Sequence, residues 1–349
     1  MANDELEADT LETLSINALP TKIKAAAKKF VDLKYQIDCE GRYWPDDIPD
    51  DLYGPVGSGE YSAVSGDSFF INIMPFAPFY ESKGQVKYIP IEYTIGCSWQ
   101  WWPEHVENEK EKIIAFINNR EQAEKTAYTF VENLGIVLSS EGKNRIHFCR
   151  VNKIDKIPGR VHEMKYPEAD RIIVYALQPD YYSVDINAPY LAVLDGRYLQ
   201  VINHFDYALP LLNAHGVKVI TSWPSDFPKL TDIHRFADES MDSTIGRRKC
   251  IDLDKIKSLI EKEAELTLEL EQTKKVGITD LEISNKLPLL FLSFLLIVIS
   301  SVLLALFSDT DMNILLGALF GISLAFFFSM VAPIFIVKKK YISKKLYLR

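Results

Sequence analysis

LPLLFLSFLLIVISSVLLALF (residues 287–307) and NILLGALFGISLAFFFSMVAPIFIV (residues 313–337) close the chain without one charged side chain. An α-helix rises about 1.5 Å per residue, so roughly 20 apolar residues span the hydrocarbon core of a bilayer. Both runs meet that length and predict a transmembrane helical hairpin, since a long core helix of a water-soluble domain would carry a polar stripe. The link holds Asp309 and Asp311 and no base, whereas the tail holds Lys338, Lys339, Lys340, Lys344, Lys345 and Arg349. Positive flanks stay in the cytoplasm. The expected placement is therefore multi-pass in the inner (plasma) membrane, with both termini cytoplasmic and the lipid bilayer as a partner.

Working outward, the segment from Lys286 carries seven bases and two acids against a chain total of −9, which leaves residues 1–285 at −14. An acidic domain argues against a general phosphate-binding surface, because non-specific nucleic-acid affinity comes from Lys and Arg neutralising phosphates. Residues 108–171 are an exception, with 12 bases and 10 acids, so a local nucleic-acid groove fits there. Cys39, Cys97, Cys149 and Cys250 stand far apart, without a CxxC pair or a His at metal spacing. That pattern reads as free thiols. The acidic N-terminus lacks the basic, then apolar, order of a signal peptide, so the membrane signal is the hairpin itself.

Helical spacing runs from Asp4 to Leu33 and from Asn108 to Leu134, the second with a break near Asn118-Asn119 and a C-cap at Gly135. Strand patterns fall at Ser68 to Ile73, Gln85 to Tyr93, Asn144 to Ile154, Arg160 to Met164 and Val217 to Thr221. A helix is expected over Asp170 to Leu177. Pro158-Gly159 reads as one hairpin turn, and Asp195-Gly196 as another, between Tyr190 to Leu194 and Tyr198 to Val201. Asp252 to Val276 reads as a charged stalk helix with an imperfect heptad. Gly317, Gly321 and Ala325 form a small-residue face suited to close helix packing and to a homo-oligomer.

The resulting organisation is an N-terminal helix with an aromatic-rich α/β extension (1–104), an α/β domain with a mixed sheet (105–245), a stalk helix (252–276), two membrane helices and a basic tail (338–349). Chemistry is expected at the Pro158-Gly159 hairpin. Folded there, the chain would bring Asp155 diagonal to Glu163, with Glu163 and Lys165 on one face because strand side chains alternate. Two carboxylates suit Mg²⁺, and a neighbouring lysine can position the attacking water of phosphodiester hydrolysis.

Glu124-Lys125-Thr126, Phe130-Val131, Asn133-Leu134-Gly135-Ile136, the Asp155, Glu163 and Lys165 set, Arg171 to Leu177 and Pro189 to Leu199 together resemble the N-terminal nuclease domain of type I restriction enzyme R subunits. The resemblance covers residues 121–206. It implies a restriction-endonuclease-like fold, catalytic Asp155, Glu163 and Lys165, Mg²⁺ on Asp155 and Glu163, ligand contacts at Glu124, Arg150, Arg160 and Arg171, and a role in antiviral defence. This chain departs from the pattern in having Ile154 before the acid and Arg171 where the family often has glutamine. Were Arg150-Val151 the true equivalent, Asn152 would take the metal position. The function expected is a membrane effector whose nuclease-like domain binds a nucleic acid, oligonucleotide or nucleotide-derived ligand and controls an oligomeric hairpin that opens a pore. The alternatives are a membrane-tethered Mg²⁺-dependent endodeoxyribonuclease and a membrane-anchored scaffold with a degenerate nuclease fold.

Overall fold

Pro20 ends an irregular stretch and sets the start of α1 (Thr21–Gly41), its carbonyl accepting the N–H groups of Ile23 and Lys24 at 3.0 and 3.1 Å. The helix begins well after Asp4, and residues 11–20 instead run alongside the first strand, where Thr13 bridges Tyr88. One face of α1 is buried through Ile23, Ala26, Ala27, Phe30, Val31, Lys34, Ile37 and Asp38, the three-and-four spacing of a helix against a core. In the computed structural model the described residues are 11–54, 64–80, 83–96, 106–177, 190–276, 286–306, 310–331 and 335–338. Contacts divide the chain into two units, Met1–Lys257 and Ser258–Arg349. The extension (1–104) and the α/β domain (105–245) thus share one unit.

α2 (Gly66–Ile73) lies where a strand was expected. The Ser65 hydroxyl accepts from the Ser68 N–H at 3.2 Å, which caps the helix, and Phe69, Phe70 and Ile73 then face the core together. The first sheet has five strands, β1 (Gln85–Pro90), β2 (Thr94–Ile95), β3 (Ala127–Val131), β4 (Ile136–Glu141) and β5 (Lys156–Met164), in the order β1-β5-β3-β4-β2, and α2 packs on β4. α3 (Lys110–Asn118) and α4 (Arg120–Glu124) precede β3, and α5 (Lys143–Val151) follows β4. The break at Asn119 is real, since its side chain accepts from the Gln122 N–H at 3.1 Å and starts α4. The long helix expected beyond it gives way to β3, where Tyr128, Thr129, Phe130 and Val131 are β-formers. Asn144 to Ile154, expected as a strand, is mostly α5.

The Pro158-Gly159 hairpin does not form. Residues 156–164 make one continuous strand, with Pro158 opposite Tyr88 and Gly159 opposite Lys87 on β1. Pairing of β5 with β3 starts only at Val161, so Pro158 costs no ladder bond on that side. Gly159 is required by packing, because a Cβ there would lie 2.5 Å from the Tyr128 ring, which is fully buried.

A six-stranded sheet follows, ordered β10-β11-β8-β7-β6-β9, from β6 (Ile172–Ala176), β7 (Tyr190–Leu194), β8 (Tyr198–Val201), β9 (Lys218–Ile220), β10 (Met241–Asp242) and β11 (Cys250–Asp252). β6 replaces the helix expected over Asp170 to Leu177, and its burial on both faces explains the unbroken apolar run Ile172-Ile173-Val174-Tyr175. Asp195 and Gly196 turn with φ of 54° and 67°, the backbone that an Asp-Gly hairpin turn needs. α6 (Phe205–His215) leads from β8 to β9, and α7 (Leu230–Phe236) follows. One core cluster joins Phe30, Phe69, Phe70 and Ile73 to Val131, Met164, Val174, Leu194 and Leu211. A second, around Ile89, Tyr128, Val137, Phe148 and Val161, covers the other face of the first sheet.

α8 (Leu253–Gln272) takes the place of the stalk helix, with Leu253 and Ile256 buried. In the second unit, β12 (Thr273–Val276) pairs antiparallel with β13 (Phe335–Lys338), and α9 (Lys286–Leu306) packs on α10 (Thr310–Val331). Among the described residues no helix is long and apolar enough to cross a membrane. The run expected as one helix over 313–337 is split, since α10 ends at Val331 and Phe335–Lys338 is a strand. The transmembrane hairpin, the multi-pass inner-membrane placement and the pore that followed from them are corrected accordingly. Gly317 and Gly321 do not form the described seam between α9 and α10, for a Cβ on each would meet nothing within 4 Å in this chain. Ala325 is exposed, and among the described side chains of the pair the buried ones are Ser293, Ser300, Leu316 and Ser323.

Candidate functional site

A continuous β5 decides what the expected nuclease residues can do. Asp155 is exposed just before the strand and Glu163 stands near its far end, about 26 Å away at roughly 3.3 Å per residue. The two carboxylates cannot share a metal ion. Glu163 instead accepts from Lys87 Nζ at 2.8 Å, a bond that holds the Lys87 ammonium above its ordinary value. Lys165 lies past the strand, exposed, in an ion pair of 2.8 Å with Glu168. That pair raises the lysine and lowers the glutamate.

The expected ligand contacts are equally dispersed. Glu124 ends α4 and meets Arg120 at 3.7 Å. Arg150, on α5, pairs with Asp32 and lies over the Tyr35 ring at 4.6 Å. The Arg160 backbone N–H donates to Thr126 Oγ1 at 2.9 Å. Arg171 forks onto Asp195 at 2.8 and 2.6 Å, bracing the β7–β8 turn and keeping the Asp195 carboxyl below its usual range. Asn152 closes α5, donating to the Phe148 carbonyl at 2.9 Å. Among the described residues no group of three or more His, Cys, Asp or Glu is placed to hold a metal.

A cavity forms elsewhere, where β8 hands over to α6. The strand ends at Val201, the Ile202 N–H returns to the Tyr190 carbonyl at 3.0 Å, and His204 stands at the N-cap of α6 with its carbonyl accepting from Tyr207 and Ala208. The opposite wall is the turn after α1, where the Pro49 carbonyl accepts the Leu52 N–H at 2.9 Å. Asn72 Nδ2 donates to the Asp51 carbonyl at 2.6 Å and fixes that wall to the end of α2. Between them lies a cleft of about 370 Å³, whose lining includes Leu52, Tyr190, Asn203, His204, Phe205 and Asp206. That volume suits a small organic ligand.

No family model, curated protein or solved structure matches this chain. What the cleft can bind therefore follows from its own atoms. His204, on the lining, meets through Nε2 the Oδ2 of Asp51, the residue before the lining Leu52, at 2.7 Å, with Asp51 41% exposed and His204 15% exposed. A carboxylate is an acceptor and orients the imidazole tautomer, so the pair presents a fixed polar edge. Tyr190 and Phe205 stack beside it with centroids 3.5 Å apart and planes 8° from parallel. Beneath, Arg248 donates to the carbonyls of Val201 at 2.6 Å and Asn72 at 2.9 Å, tying both walls together. Burial lowers its guanidinium from the ordinary value, and the charge of Asp51 acts against that shift.

Sequence reasoning gave no role to His204 or Asp51. They lie 153 positions apart, outside the strand and helix patterns of the sequence. One signal was present: Asn203-His204-Phe205-Asp206-Tyr207 directly follows a strand, and ligands of α/β sheets gather at the carboxyl ends of strands.

Proposed function

We propose that the unit Met1–Lys257 is a binding module for a small planar, nucleobase-bearing ligand, held in the cleft at the start of α6. The observation that carries this reading is the Asp51–His204 pair at 2.7 Å beside the Tyr190–Phe205 stack in a cleft of ligand size. Carboxylates accept and never donate, so Asp51 favours a ring edge rich in N–H groups. Guanine, whose edge presents N1–H and the exocyclic N2 amine side by side to a two-oxygen acceptor, is the base that fits this best. Asp206 on the lining and Asp51 behind His204 repel phosphate, so the base lies inward and any phosphate points to solvent. The endonuclease alternative has less support, since Asp155 just before β5 and Glu163 near its far end are too far apart for one metal ion.

Isothermal titration of the full chain with guanosine, adenosine, cytidine and uridine tests this reading. Guanosine is expected to bind most tightly, and Asp51→Asn to weaken it by about tenfold, the value of one hydrogen bond involving a charged group. Absence of binding by all four nucleosides would overturn it.

A further inference from the structure

Lys34 is a charged residue where α1 otherwise buries apolar side chains. It is 0% exposed, and so is its neighbour one turn on, Asp38. Buried ammonium groups are rare because desolvation is costly, and a methionine would fill the same volume. The pairing with Asp38 accounts for one donor of the Lys34 ammonium. A second donor reaches the carbonyl of Leu52 at 3.3 Å, and the ammonium lies 5.4 Å from the centre of the Phe69 ring. Leu52 is itself buried and lines the cleft, directly after Asp51.

The turn carrying Asp51 is therefore held at three points: Asn72 on the Asp51 carbonyl, His204 on its carboxylate and Lys34 on the next carbonyl. The first two sit at the rim. Lys34 comes from inside, on the helix that forms the floor of this part of the core. Asp38 orients Lys34 and in turn meets His147 Nε2 of α5 at 3.4 Å, so the anchor is fixed from the first sheet's side as well.

We propose that Lys34 is a positioning residue, which places the Asp51 carboxylate against His204 by holding the Leu52 carbonyl, and so sets the affinity of the cleft for N–H-bearing rings. This rests on the binding reading above. A methionine cannot satisfy the Leu52 carbonyl, whereas lysine both fills the core and donates to it.

The test uses the full chain with Lys34→Met and Asp38→Leu made together, because removing both charges avoids leaving one buried and unpaired. Lys34→Arg, which keeps the charge but moves the donors, serves as the second variant. Two readouts are taken: the guanosine Kd, and the ¹⁵N resonance of His204 Nε2, which reports its bond to Asp51 without any ligand. Both variants are expected to shift the resonance, and the double variant to raise Kd about tenfold. In an Asp51→Asn background the same two substitutions should change Kd by less than about twofold, which a purely structural role would not produce. An unchanged His204 resonance and unchanged Kd in either folded variant would overturn the proposal. Should guanosine not bind the unaltered chain, the cleft reading fails, and the resonance alone still decides whether Lys34 positions Asp51.

Discussion

Asp252 does two things with one carboxylate. It receives the Arg197 fork at 3.0 and 2.7 Å and caps α8 by accepting from the N–H groups of Asp254 and Lys255 at 3.0 and 3.3 Å. The Arg197 bond, followed by the backbone bonds, holds its carboxyl below the ordinary range despite partial burial. A carboxyl depressed in the folded state stabilises above the unfolded value of about 3.9 and loses that contribution as pH falls through the lower folded value. Acid unfolding should therefore steepen below about pH 4, and Asp252→Asn should flatten that part of a stability–pH profile measured by urea titration. Asparagine keeps the cap of α8, so the loss at neutral pH falls on the partly exposed Arg197 pair and is small. Lys34→Met alone is a harsher change. It leaves Asp38 buried without its cation and should cost about 3 to 5 kcal/mol by chemical denaturation, whereas the Lys34→Met, Asp38→Leu pair should recover most of that.

At the scale of elements, Gly159 explains why a Pro-Gly pair reads as a turn yet lies inside a strand. Its missing Cβ makes room for Tyr128, and Gly159→Ala should destabilise by about 1 to 3 kcal/mol through overpacking, measurable in the same titrations. The sequence carried the β7–β8 hairpin residue for residue, because alternation and an Asp-Gly turn are local signals. It misplaced α2, β3 and β6 because those segments are apolar on more than one face, and burial on several sides erases the period that separates helix from strand. Ser65 was the clue to α2: Ser65→Ala should lower stability by about 1 kcal/mol, where a strand at the same place would be unaffected. The cleft was less legible still. Asp51 and His204 come together only through the packing of α1, α2 and the second sheet, a long-range fact that no local pattern encodes.

For the molecule as a whole, the acidic balance that disfavours a nucleic-acid groove accords with a cleft whose lining holds Asp206 and neither Lys nor Arg, as the proposed uncharged ring requires. The expected catalytic groups are spread from Asp155, just before β5, to Glu163, paired with Lys87, and Lys165, paired with Glu168. The apolar ends of the sequence fold into α9, α10 and the β12–β13 ladder, which form a unit of their own. The most direct test compares ligands by thermal shift on the full chain. A ligand at about 100 times its Kd stabilises the native state by about 2.7 kcal/mol, enough to raise Tm by a few degrees. Saturating guanosine should produce that rise and lose it in Asp51→Asn, while millimolar Mg²⁺ should leave Tm unmoved. A Mg²⁺-dependent rise abolished by Glu163→Ala, with no response to guanosine, would contradict the assignment of function to the Asp51–His204 cleft.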